Sequence, residues 1–157
     1  MNNIYNSLII GLGGPRGDDA AGWVAVDRLA DLPERGVRLL KTGDSLSLAA
    51  ILCEASSPCA AIVDAAAPRG EPGTIRSFDR DEISIQRGSA WSTHGVGLIE
   101  AIELVEALGY TFKRLRLHTI EAKTVGHGSG LSPEVEAAID RLVETIRADF
   151  AEAQPYA

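Results

Sequence analysis

Four side chains suited to metal or proton chemistry lie where the chain is expected to turn: the adjacent pair Asp18 and Asp19, then Asp64, then His94. Carboxylates and imidazoles are ligands for divalent transition metals, and either group can move a proton. Each also has an ordinary structural use. Asp18 follows the turn-rich stretch 11–17 and is placed to cap the next helix, where a carboxylate satisfies free amides and complements the dipole. Asp19, in the first helical turn, then either adds to that effect or faces a ligand. Asp64 closes the apolar run 59–63, so it either caps the turn toward Pro68 or delivers a carboxylate beyond a strand end. His94, between Ser92-Thr93 and Gly95, is either a surface side chain or a third ligand. His118 lies inside a strand-like stretch and reads as structural; His127 lies in a glycine-rich one and reads as solvated.

Such residues need elements to bring them together. Residues 7–11, 37–41, 60–63, 74–78 and 114–120 read as strands. Between them, Ala21, Val24, Ala25 and Leu29 trace one helical face up to the break at Leu32-Pro33. The turn Thr42-Gly43-Asp44 leads into an apolar stretch, 46–53, long enough for a short helix. Leu98, Ala101, Ile102, Val105 and Leu108 share a face closed by Gly109, and Ser132 with Pro133 opens a last helix buried along Val135, Ile139, Leu142, Val143, Ile146 and Phe150. Residues 79–88 are polar and show no pattern. Alternating strands and helices, without repeats or a linker, predict a single α/β domain over residues 1–157. Its expected architecture is a three-layer sandwich with a mostly parallel twisted sheet of about five strands, covered by helices on both faces. Ligands of such sheets bind beyond the carboxyl ends of the strands, which is where Asp19, Asp64 and His94 would converge.

Composition narrows the partners. With 45% hydrophobic and 24% charged residues in 157, the chain has globular usage and enough length for one core. A net charge of -7 repels nucleic-acid phosphates. Lys113, Arg114 and Arg116 alternate with Phe112, Leu115 and Leu117, the pattern of a solvated strand face, so no nucleic acid is expected. No apolar run is long enough to span a bilayer and the first six residues lack signal-peptide character, so the expectation is a cytoplasmic protein with no membrane partner. Cys53 and Cys59 read as small core residues. Gly11 and Gly13 hint at a nucleotide loop, but Arg16 stands in place of a third glycine and the paired acids repel phosphate.

Five segments, LIIGLGGPRGDDAAG, TGDS, IVDAAAPRGEPGTI, STHGVGLIEAIEL and GLSPEVEAAID, together resemble the hydrogenase maturation endopeptidases, in that family's order and spacing. Those enzymes remove a C-terminal tail from the large subunit of nickel-iron hydrogenases. The resemblance implies the same activity here, aspartyl-type or metal-dependent, with a nickel-iron hydrogenase large-subunit precursor as partner. It implies that Asp19, Asp64 and His94 sense nickel supplied by the substrate and that no cofactor is permanently bound; the chemistry of a carboxylate beside the scissile bond makes Asp19 or Asp64 the expected general base. Two departures stand out: Gly14 replaces the asparagine usual in a first loop that is one residue shorter, and Ala20 replaces a common glycine. A rival from another class is a non-catalytic maturation chaperone that holds a metal or metallocluster precursor with the same three residues.

Overall fold

The structure, a computed structural model, describes residues 6–30, 36–87, 96–124 and 130–152. Strands β1 (Ser7–Leu12), β2 (Val37–Thr42), β3 (Cys59–Ala66), β4 (Ile75–Asp79) and β5 (Arg114–Glu121) form one sheet in the order β2-β1-β3-β5-β4. All pairings are parallel except that of the edge strand β4 with β5. The helices are α1 (Ala21–Arg28), α2 (Ser45–Ala55), α3 (Arg80–Ile85), α4 (Val96–Ala107) and α5 (Pro133–Glu152).

The side-chain alternation of the strands feeds two cores. Leu8, Ile10, Leu12, Ala60 and Ile62 pack with Leu48 and Leu52 of α2 and with Leu98, Ile102 and Val105 of α4. Ile9, Ala61, Val63 and Ala65, from the opposite face of the same strands, pack with α1 and α5. Central strands covered on both sides must be apolar at nearly every position, and β1 is buried along its whole length. Helix α5 shows the complementary pattern. Pro133 occupies its first position, and Val135, Ile139, Leu142, Val143, Ile146 and Phe150 form a continuous buried stripe. Each such side chain contributes about 2 kcal/mol by leaving water, so the stripe, rather than the mixed composition of the helix, holds it on the sheet. The expected three-layer α/β architecture is thereby observed.

Several boundaries differ from expectation, each for a physical reason. Helix α1 does not start at Asp18: a turn of 3-10 helix, Gly17–Ala20, precedes it, and Arg16 at its start makes no side-chain cap. Strand β3 does not end at Asp64 but runs to Ala66, because Ala65 and Ala66 remain buried and paired with β5. Strand β5 likewise runs through Glu121. The polar stretch after β4 contains α3, where Glu82 Oε1 accepts the Asp79 amide at 3.1 Å and Ile83 enters the core. Leu108 is not part of the buried face of α4. It is 62% exposed, one residue past the helix end, and Gly109 at φ 97° turns the chain away. The break at Leu32-Pro33 lies outside the described residues.

Arg116 ends its strand face against Asp79 and Asp149, while Leu115 and Leu117 are buried, as the alternation predicts. Cys53 and Cys59 are free thiols, each half-buried. Among the described residues no helix is long and apolar enough to cross a membrane.

Candidate functional site

The strand order places the site. From β1 the chain goes through α1 to β2 on one side, then through α2 across to β3 on the other side of β1. The connections after β1 and β3 therefore leave in different directions, the switch point beyond whose carboxyl ends sheets of this kind bind ligands. Asp19 lies in the 3-10 turn directly after β1; Asp64 lies near the end of β3. One carboxylate thus comes from the turn that follows β1 and the other from β3 itself.

Close backbone packing fixes this arrangement. A Cβ on Gly22 would lie 2.4 Å from the Val63 carbonyl oxygen and 2.6 Å from that of Leu12, so only glycine lets α1 descend onto the ends of β1 and β3. The turn carrying Asp19 is drawn down with it. Gly13 plays a comparable part in the first loop: at φ 155° its missing Cβ leaves room for the Asp19 carbonyl, 2.2 Å from where a Cβ would sit. The Gly14 amide donates to that carbonyl at 3.2 Å. Gly13 N and Trp23 Nε1 both donate to the Thr42 carbonyl at 3.0 Å, tying the loop and α1 to the end of β2.

Asp19 is half-buried. Asp64 is fully buried, and its Oδ1 accepts the Ala65 amide at 2.8 Å. Since Ala60 and Ile62 face α2 and α4, strand alternation puts Asp64 on that side as well, next to Thr119 of β5. Helix α4 begins on the same side at Val96, two residues after His94. His94 itself lies outside the described residues, as does His127. Among the described residues no three His, Cys, Asp or Glu side chains converge on one point.

Asp18 is structural, though not as a helix cap. Fully buried, it accepts the Ser132 amide at 2.7 Å, the Ser132 hydroxyl at 2.7 Å, the Lys123 amide at 2.8 Å and the Thr124 amide at 3.3 Å. Burial works to raise its pKa, but the hydrogen bonds from Ser132, Lys123 and Thr124 outweigh it and hold the carboxyl below its ordinary value. The first turn is thus clamped to the end of β5 and to the start of α5. Ser132, expected as a cap, spends its hydroxyl on this clamp. Asp44 does cap a helix, accepting the Ser47 amide at 2.7 Å and the Ser47 hydroxyl at 2.8 Å at the start of α2.

Residues 48–149 match the family model HycI, described as hydrogenase maturation protease. The chain belongs to the hydrogenase maturation proteases. Family membership makes it a hydrolase, an endopeptidase in the processing of a hydrogenase precursor. Solved structures agree. The [NiFe] hydrogenase maturation protease HybD from Thermococcus kodakarensis is 26% identical, with a TM-score of 0.76 over 91% of this chain and 97% of that one. An endopeptidase from Escherichia coli is 25% identical, with a TM-score of 0.79 over 93% of each. The protease HycI from Thermococcus kodakarensis KOD1 is 25% identical, with a TM-score of 0.73 over 94% of this chain and 93% of that one. No curated protein matches significantly.

One buried acid of this maturation protease has no counterpart among the expected site residues. Glu121, 1% exposed at the end of β5, accepts the Gly70 amide at 2.9 Å and Arg76 at 3.2 Å, while its own carbonyl receives the Gly73 amide at 2.8 Å. It pins the loop that leaves β3 just after Asp64. A signal for it exists in the sequence, for Glu121 closes an apolar-alternating strand just as Asp64 nears the end of one.

Proposed function

We propose that this maturation protease is metal-dependent and recognises its substrate through nickel already seated in a nickel-iron hydrogenase large-subunit precursor, using Asp19, Asp64 and His94. The observation that carries this reading is the placement of Asp19 in the turn after β1 and of Asp64 near the end of the neighbouring β3, with α4 starting just after His94 on the Asp64 side of the sheet. Carboxylate and imidazole suit nickel and leave coordination positions for the precursor's own ligands. The nickel is the substrate's cargo, and no resident cofactor is needed.

In this account Asp64, embedded in β3, is the fixed anchor. Asp19, half-buried on its turn, is the general base that takes a proton from the attacking water. Water adds to the scissile carbonyl, the C–N bond breaks, and the proton passes to the departing amine. Nickel close to that carbonyl favours the step by polarising it. The test is replacement of Asp64 by Asn and of His94 by Ala, with the mass of the precursor as readout. Both variants should fold and fail to release the tail; trimming at the wild-type rate would show that other residues do the work.

A further inference from the structure

Helices α2 and α4 pack side by side on one face of the sheet, yet an open groove of about 210 Å³ remains between them, lined by Ser45, Leu46, Ala49, Gly97, Ala101 and Leu104. Its walls are mostly aliphatic, and two leucines stand in water beside it: Leu46 is 77% exposed and Leu104 47%. Scattered exposed leucines need no explanation, but a pair facing one groove does. Glu100 also borders the groove, and its carboxylate is taken up by Arg87, whose Nη1 donates to Oε1 at 2.6 Å. Aliphatic walls between two helices match a polypeptide segment that carries aliphatic side chains.

Position decides which polypeptide. The groove starts where both helices start: Gly97, near the beginning of α4, lies against Ser45, the first residue of α2, whose Oγ is 2.8 Å from the place of a Gly97 Cβ. Ser45 continues the turn Thr42-Gly43-Asp44, and the Thr42 carbonyl is tied to Gly13 in the first loop. The groove is therefore continuous with the end of the sheet that carries Asp19 and Asp64. From Gly97 to Leu104 it follows α4 for about 10 Å at helical rise, the reach of roughly three residues of extended chain.

We propose that this groove binds an aliphatic segment of the hydrogenase precursor close to its scissile bond, seating side chains against Leu46 and Leu104. The groove sets which sequences are presented for cleavage. This rests on the reading of the chain as a nickel-sensing peptidase, but the two fail separately: trimming of intact precursor reports on that reading, and peptide affinity reports on the groove.

The experiment follows the leucine methyl resonances of the full chain while a synthetic peptide spanning the precursor's cleavage region is titrated in, with a scrambled peptide as control. The Leu46 and Leu104 methyls should shift with the true sequence. Leu46→Lys and, independently, Leu104→Lys should each weaken binding about tenfold, as expected when one aliphatic side chain is no longer there to leave water on binding. Leu108→Lys, at a leucine whose exposure lies between those of Leu46 and Leu104 but outside the groove, should bind as the wild type does. Unmoved methyls, unchanged affinity in both groove variants, or shifts that follow protein concentration rather than peptide would each overturn the proposal, the last by making a second copy of this chain the occupant.

Discussion

Gly22 and Val63 touch backbone to backbone: the Val63 carbonyl oxygen lies only 2.4 Å from where a side chain on Gly22 would begin. Val63 immediately precedes Asp64, and Gly22 follows Asp19 by three residues. This approach is how two acids 45 positions apart in sequence come to the same edge of the sheet.

Placing a methyl group there should be costly. Because the obstruction is backbone on both sides, Gly22→Ala must push α1 off β1 and β3, at about 2 to 3 kcal/mol of stability. Urea denaturation should show that loss, and trimming should fall further than the unfolded fraction accounts for, since the Asp19 turn moves with the helix. Wild-type stability would mean that the helix has slack.

Asp18 should matter without touching substrate. Asp18→Asn keeps the shape but removes the charge that accepts from Ser132, Lys123 and Thr124, at about 2 kcal/mol. The wild-type carboxyl has a lowered pKa when folded, so its contribution is full above the ordinary aspartate value of roughly 4 and fades as the pH falls below it. Acid titrations of stability should therefore be shallower for the variant in that range.

His118 should titrate against the fold. It is 1% exposed in β5, beside Ser77 Oγ at 2.8 Å from its Nδ1, and burial together with the Arg116 charge lowers its pKa from 6.5 to about 4. Between those values the unfolded chain binds the proton and the folded chain does not, so stability declines as the pH falls through this window. The loss is on the order of 3 kcal/mol. Melting curves of His118→Gln should be flatter over the same window; identical slopes would place the protonation elsewhere.

Much of this was legible because it depends on local patterning. The α5 stripe and the burial of β1 follow from apolar patterning and are observed, and the alternation of β5 holds from Arg114 to Leu117, beyond which the strand is buried on both faces. What periodicity does not encode is a partner far along the chain. Asp18 reads as a helix cap until Ser132, 114 residues later, arrives to take its carboxylate. Asp64 reads as a strand terminus until pairing with β5 carries the strand two residues further. Glu121 repeats the pattern that drew attention to Asp64, yet Arg76 and Gly70 engage it, so strand-end acids alone do not separate a ligand from a strut.

Under the proposed function, nickel in the precursor licenses cleavage. The most direct test is to incubate the protein with nickel-loaded and nickel-free precursor and to compare the masses of the products. The C-terminal tail should be lost from the loaded form alone. Equal trimming of both forms would contradict the proposal, as would tight binding of the loaded form that never yields a shorter chain.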